Sequence, residues 1–184
     1  MSRVQRSTRE TTIDATVSIG TGQAEVDIDD RFLGHMIVTL ARYANLDISI
    51  EATGDLRHHL VEDVAIVLGQ ALAEELPENR VRFGEALVPM DEALVQAAID
   101  VGGRPYYVGK LPSKLYTHFL HSFATQLDAT LHVRVLRGED RHHVVEAAIK
   151  ATGLALRKAL VPAEDVFSTK GAVHSTRGEG EGES

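Results

Sequence analysis

The sequence predicts an α+β protein made of two duplicated sheet-and-helix half-domains that pack helix against helix. Three observations carry that prediction. First, the chain repeats itself. Gly54, His58, His59, Val61, Glu62, Gly69, Ala71 and Leu72 reappear at the same spacing as Gly138, His142, His143, Val145, Glu146, Gly153, Ala155 and Leu156. A further histidine precedes each copy at nearly the same interval, His35 before the first and His118 before the second. Self-similarity of this kind marks a duplicated structural unit. Second, stretches of period two and stretches of helical spacing follow one another in much the same order in both halves. Third, no segment between the halves is long enough to separate independent domains, so they share one core.

The elements are expected in the following order. Residues 11–19 (TTIDATVSI) alternate β-formers with polar residues and read as a strand; residues 24–29 alternate again after the Gly20-Thr21-Gly22 turn. Asp30 can cap a helix that starts near Arg31, where Phe32, Leu33, Met36, Ile37 and Leu40 form an apolar stripe holding His35. Residues 46–52 return to period two, and Thr53-Gly54-Asp55 is a turn. From His58 to about Leu76 the apolar residues are dense and helically spaced, and Pro77 follows. In the second half, 81–88 and 92–101 are strand-like. Residues 104–108 are expected to pair with 92–101 across Gly102-Gly103. Residues 112–127 form a helix holding His118, 129–136 a strand, and 141 to about 160 the second motif helix, with Pro162 after it. The pattern is strand-strand-helix-strand-helix, then much the same again: two ferredoxin-like pseudo-repeats, about 1–80 and 81–173, in a single domain. Residues 174–184, ending Gly-Glu-Gly-Glu-Gly-Glu-Ser, have nothing to bury and form an acidic tail.

Composition narrows the function. Hydrophobic residues make up 43% of the 184, enough for a folded core, and aromatics only 5%, so that core is mainly Ala, Val, Leu and Ile. A formal charge of -8 disfavours nucleic acid as a partner. With no Cys, disulfides, thiolate metal sites and cysteine nucleophiles are excluded. The N-terminal stretch has no apolar signal region and no apolar run is long enough to span a bilayer, so a cytoplasmic protein is expected, with no membrane partner.

The repeated motif carries metal chemistry. On a helix, residues i and i+4 lie one above the other, so His58 and Glu62 can share one ion, as can His142 and Glu146. His59 and His143 are rotated by about 100° and point elsewhere. With His35 and His118 the count is six His and two Glu, which divides into two sets of three His and one Glu. Imidazole with carboxylate and no thiolate suits Mn, Fe, Zn or Ni. A lone histidine on an apolar helix is usually a packing residue; duplication of the whole pattern tips the reading toward metal. His121, His132 and His174 have no counterpart in this scheme and read as structural or surface residues.

With these motifs in view, the sequence resembles the imidazoleglycerol-phosphate dehydratase family over roughly residues 3–173. The matching segments are Arg6-Ser-Thr-Arg-Glu10-Thr11, His35-Met36, Thr53-Gly-Asp55, His58-His-Leu-Val-Glu-Asp63, Arg82-Phe-Gly84, Pro89-Met-Asp-Glu-Ala93, Gly103-Arg-Pro-Tyr106, His118-Phe119, Leu131-His132, His142-His-Val-Val-Glu-Ala147 and Ser168-Thr-Lys-Gly171. The resemblance implies a hydro-lyase of histidine biosynthesis that dehydrates D-erythro-imidazole glycerol phosphate to imidazole acetol phosphate. It also implies two Mn2+ per active site, held by His35, His58, His59, Glu62, His118, His142, His143 and Glu146, and a homo-oligomeric shell of 24 subunits with active sites between chains. Glu10 is then the acid/base that is not a metal ligand, with Glu62 and Glu146 as ligands that can share in proton transfer. Arg82, Arg104, Ser168 and Lys170 match the family's phosphate-binding positions; guanidinium forks suit phosphate, and the hydroxyl and ammonium add to them. The chain departs from the family where Gly34 replaces an Asp before His35, where Tyr43 replaces a His, and in shorter segments before His58 and before His118. Two other readings use the same residues: a shell-forming paralogue that keeps the metal sites without catalysis, and a metal enzyme acting on a different phosphorylated substrate.

Overall fold

In the computed structural model, which describes residues 1–164, each half begins with three strands. The first comprises β1 (Ser2–Ser7), β2 (Thr11–Ile19), β3 (Ala24–Ile28), α1 (Arg31–Ala44), β4 (Leu46–Gly54) and α2 (Arg57–Glu74). The second comprises β5 (Phe83–Met90), β6 (Ala93–Val101), β7 (Tyr106–Gly109), α3 (Lys114–Gln126), β8 (Ala129–Arg137) and α4 (Arg141–Ala159). The strand orders are β1-β2-β4-β3 and β5-β6-β8-β7, the same topology twice. In each sheet a hairpin is joined to a βαβ unit: β3 runs parallel to β4, and β7 parallel to β8.

The expected α+β duplication is therefore present, with two differences. The periodicity does not foresee β1. Its sequence, SRVQRS, is polar because it is an edge strand whose only apolar residue, Val4, packs on the core, so period two leaves little trace. The expected pairing of 104–108 with 92–101 is replaced. The place beside β6 is taken by β8, whose Leu131 and Val133 face Ile99 and Ala97, and β7 is a short strand on the far side of β8. Gly102, at φ +87, turns the chain away from β6 instead of closing a hairpin.

The inward residues are the ones that alternation predicts. Ile13, Ala15 and Val17 of β2 lie opposite Ala52, Ile50 and Ile48 of β4, all buried. Helices cover one face of each sheet, and the halves meet through two crossings, α1 on α4 and α2 on α3. A motif glycine lies in each crossing. A Cβ on Gly69 would meet the Phe123 carbonyl oxygen at 2.7 Å, and one on Gly153 the Tyr43 Cβ at 2.8 Å. Three of the four helices, all but α2, start at a side-chain cap. Asp30 accepts from the Phe32 and Leu33 amides, and Asp140 from the His142 and His143 amides. These caps position the histidines that follow. Among the described residues, no helix is long and apolar enough to cross a membrane.

Candidate metal centre

Because α1 packs on α4, His35 of the first half meets His142 and Glu146 of the second. His35 Nε2 lies 3.2 Å from Glu146 Oε2, and His142 Nε2 lies 3.1 Å from the same oxygen. The His35 and His142 rings stack at 6.2 Å, and one donor atom from each of the three residues falls within 4.8 Å of the others. Glu146 is buried while both histidines are open to solvent, so the cluster sits on a floor of carboxylate with an accessible mouth. Lys150, one turn further along α4, pairs with the other Glu146 oxygen at 2.8 Å. Burial alone would push the Glu146 carboxyl up; hydrogen bonds with Lys150 and His35 outweigh it and hold the group below its ordinary range. Lys150 is not among the residues that sequence reasoning singles out; its signal is the i+4 spacing from Glu146.

The second crossing repeats the arrangement more loosely. His118 on α3 faces His58 on α2 with ring centroids 5.9 Å apart, and His58 Nε2 is 3.5 Å from Glu62 Oε2. Glu62 is 42% exposed against 9% for Glu146. Each trio thus takes its lone His from one half and its His/Glu pair from the other. Sequence alone counts these ligands but cannot pair them.

His59 and His143 turn away from both trios, as the 100° rotation requires. The Asp55 carboxylate lies 2.9 Å from His59 Nδ1, and the Glu92 carboxylate 2.7 Å from His143 Nδ1. These carboxylates raise the pKa of the two rings above its ordinary value, and His143 in turn holds Glu92 down at about 2. A carboxylate on Nδ1 leaves Nε2 pointing outward, an arrangement typical of histidines that bind metals. Asp91 Oδ2 is 3.5 Å from His143 Nε2, too far for a good hydrogen bond. Sequence motifs contain Glu92 and Asp55 but give them no role; only the fold brings Glu92, on the β5–β6 turn, to the start of α4.

Glu10 sits on the β1–β2 turn. Thr8 Oγ1 accepts from the Glu10 and Thr11 amides, and Asp55 N donates to the Glu10 carbonyl. Buried Asp63 ties this turn to α2, accepting from Thr11 Oγ1 at 2.5 Å and pairing with Arg6 at 3.0 Å. The Glu10 carboxylate is thereby held 3.5 Å from His59 Nδ1, with its side chain exposed.

The phosphate candidates lie elsewhere. The Arg82 amide donates to the Ala159 carbonyl at the far end of α4, and its guanidinium forks onto Asp100 at 2.5 and 3.0 Å. At 1.5 Å per residue, that end of α4 is roughly 25 Å from His142. Arg104, just before β7, belongs to the same distant end of the second sheet, where Thr130 donates to its carbonyl. One chain therefore does not bring these arginines to its own His35/His142/Glu146 cluster. Ser168 and Lys170 lie outside the described residues, as do His174 and the acidic tail. His121 and His132 stand apart from both His/Glu trios, against Tyr107 and Tyr106.

Comparison with known proteins gives a consistent result. The family model for imidazoleglycerol-phosphate dehydratase matches residues 29–156. A protein of that name from Pyrococcus furiosus is 44% identical over 179 residues, covering 92% of this chain and 100% of its own. One from Methanoculleus marisnigri is 44% identical over 191 residues, covering 94% and 98%. Among solved structures, that of the Pyrococcus furiosus protein in complex with (S)-C348 superposes with a TM-score of 0.83 at 42% identity, covering 92% of this chain and 100% of that one. The Staphylococcus aureus imidazoleglycerol-phosphate dehydratase gives 0.78 at 31% identity, covering 88% and 99%.

Proposed function

This chain belongs to the imidazoleglycerol-phosphate dehydratase family, and we propose that it converts D-erythro-imidazole glycerol phosphate to imidazole acetol phosphate in the cytoplasm, as a step of histidine biosynthesis, with two Mn2+ per active site. The single observation that carries the proposal is the pair of crossings, each with two imidazoles and a carboxylate at its mouth. That donor set, nitrogen and oxygen without thiolate, fits Mn2+. His35, His142 and Glu146 would hold one ion and His58, His118 and Glu62 the other. His59 and His143 would each supply a fourth ligand to a site on a neighbouring chain. Bound there, the metal would act as a Lewis acid toward the imidazole ring and stabilise charge developing on it.

The protein groups supply the rest. Comparing substrate with product, the hydroxyl leaves the carbon attached to the ring and a proton leaves the carbon beside it; the enol so formed becomes the ketone. Glu10, exposed and held by its turn beside His59, is the carboxylate free to move that proton. Arg82, Arg104, Ser168 and Lys170 would bind the phosphate. Because Arg82 and Arg104 lie far from the His35/His142/Glu146 cluster of their own chain, they would serve a neighbour's site. This favours a homo-oligomer with active sites between chains, which we take to be the 24-subunit shell of the family.

The test is turnover of imidazole glycerol phosphate by protein stripped of metal and reloaded with Mn2+. Turnover should appear on reloading, and Glu10→Gln should lower kcat by about 100-fold or more while Mn2+ still binds. A fully loaded, assembled protein that leaves the substrate unchanged would overturn the assignment.

A further inference from the structure

The duplication places a glutamate on each hairpin turn, immediately before the second strand. Glu10 precedes Thr11 of β2 and Glu92 precedes Ala93 of β6. Each faces the second histidine of its half, but at different range: Glu10 Oε2 is 3.5 Å from His59 Nδ1, and Glu92 Oε2 is 2.7 Å from His143 Nδ1. In the first half Nδ1 is taken instead by Asp55, one helical turn earlier, at 2.9 Å. In the second half Glu139 stands at the matching place. Its backbone amide, with that of Asp140, donates to Glu92 Oε1 at 3.2 and 2.8 Å.

We propose that Glu92 is a positioning residue for the metal ligand His143, and that Asp55 does the same for His59, which leaves Glu10 as the hairpin glutamate released for proton transfer. The inference rests on the two-metal reading above. Glu92 is held at both oxygens. Oε1 is fixed by two backbone donors at the start of α4, so Oε2 can only accept from His143. That fixes the proton on Nδ1 and leaves the Nε2 lone pair for a metal. The same turn glutamate therefore does different work in the two halves, according to whether a carboxylate already stands one turn before the histidine.

Glu92→Gln separates this role from a merely structural one. The amide oxygen of the substituted side chain must face the two backbone donors, because an amide nitrogen there would meet two N–H groups. The amide NH2 then faces His143, makes Nδ1 an acceptor and moves the ring proton to Nε2, the nitrogen the metal needs. The cap on α4 survives while the ligand is disabled. Full-length protein stripped of metal is titrated with Mn2+ alone, with calorimetry and the Mn2+ paramagnetic resonance signal as readouts. Wild type should bind two Mn2+ per chain. Glu92→Gln should keep the metal-free unfolding temperature and one unchanged site, with the other weakened about tenfold to a hundredfold. Glu10→Gln should bind both ions as wild type does. Wild-type binding at both sites in Glu92→Gln would overturn the proposal, as would equal weakening at both with a lower metal-free unfolding temperature. Wild type binding no Mn2+ would refute the metal reading itself, and this proposal with it.

Discussion

Glu62 and Glu146 occupy equivalent positions in the repeat but not equivalent surroundings. Lys150 pairs with Glu146, whereas the corresponding residue after Glu62 is Ile66. The residue types and the i, i+4 spacing were legible in the chain, because both follow from helix geometry. The asymmetry was not, because burial and cross-element contacts decide it. The carboxylates on His59 and His143 lead to a pH prediction. Both rings have pKa values above the ordinary 6.5, first through the hydrogen bonds with Asp55 and Glu92. A protonated imidazole cannot ligate, so each Mn2+ of the proposed site must displace a proton. A raised pKa keeps the competing proton bound to higher pH. Mn2+ affinity is therefore complete above the raised values and declines as pH falls through them, starting above 6.5 rather than at it. Titrations of the stripped protein between about pH 8 and about pH 6 should show that decline, with protons released on binding. Affinity that stays level across this window would contradict it.

At the scale of elements, the repeated Gly69 and Gly153 were visible as matched letters, but their reason was not. Each lies where a helix of one half crosses a helix of the other, with no room for a Cβ. Replacing either by Ala should cost about 1–3 kcal/mol through overpacking and lower the midpoint of thermal unfolding. Gly34 is the contrasting case. It lies inside α1, and a Cβ there would meet only Val26, at an ordinary 3.6 Å. Gly34→Ala should therefore raise the midpoint, by about 1 kcal/mol of helix propensity. Scanning calorimetry on the three variants checks the ordering, and a destabilised Gly34→Ala would show that the space beside His35 is not free. The missed β1 and the misplaced β7 have different causes. β1 carries one apolar residue, Val4, and so leaves no alternating pattern, whereas β7 reads as a strand but its partner is a contact between distant elements that no local pattern encodes.

At the scale of the whole molecule, the outer faces of the two sheets differ. The first presents Arg3, Gln5, Asp14, Thr16, Ser49 and Glu51, all polar. The second presents Leu87, Tyr106, Val108 and Leu136, exposed by 57%, 60%, 43% and 44%. Polar Gln96, His132 and Arg134 lie between them on the central strands, so the apolar groups sit at the two edges and one end of this face, where another protein can cover them. Under the proposed function, a further copy of this chain completes the half-sites. Leu87→Asp should therefore reduce the assembled mass in light scattering and lower Mn2+-dependent turnover with it. Thr16→Asp on the first sheet should do neither. Full assembly in Leu87→Asp would place the contacts between chains elsewhere.

The chain's own letters determined the duplication and the helical seats of the eight histidine and glutamate residues proposed as metal ligands. Each is a matter of local period or of repeated spacing, and both survive in one dimension. The tertiary structure alone decided which histidine meets which glutamate, that His35 reaches across to Glu146 and His118 to His58, and that Glu92 lies against His143 Nδ1 while Glu10 stays 3.5 Å from His59. It also decided that Arg82 and Arg104 lie far from the His35/His142/Glu146 cluster of their own chain. These are contacts between elements distant in sequence, set by how two sheets pair their strands and how four helices cross, and no local pattern encodes them.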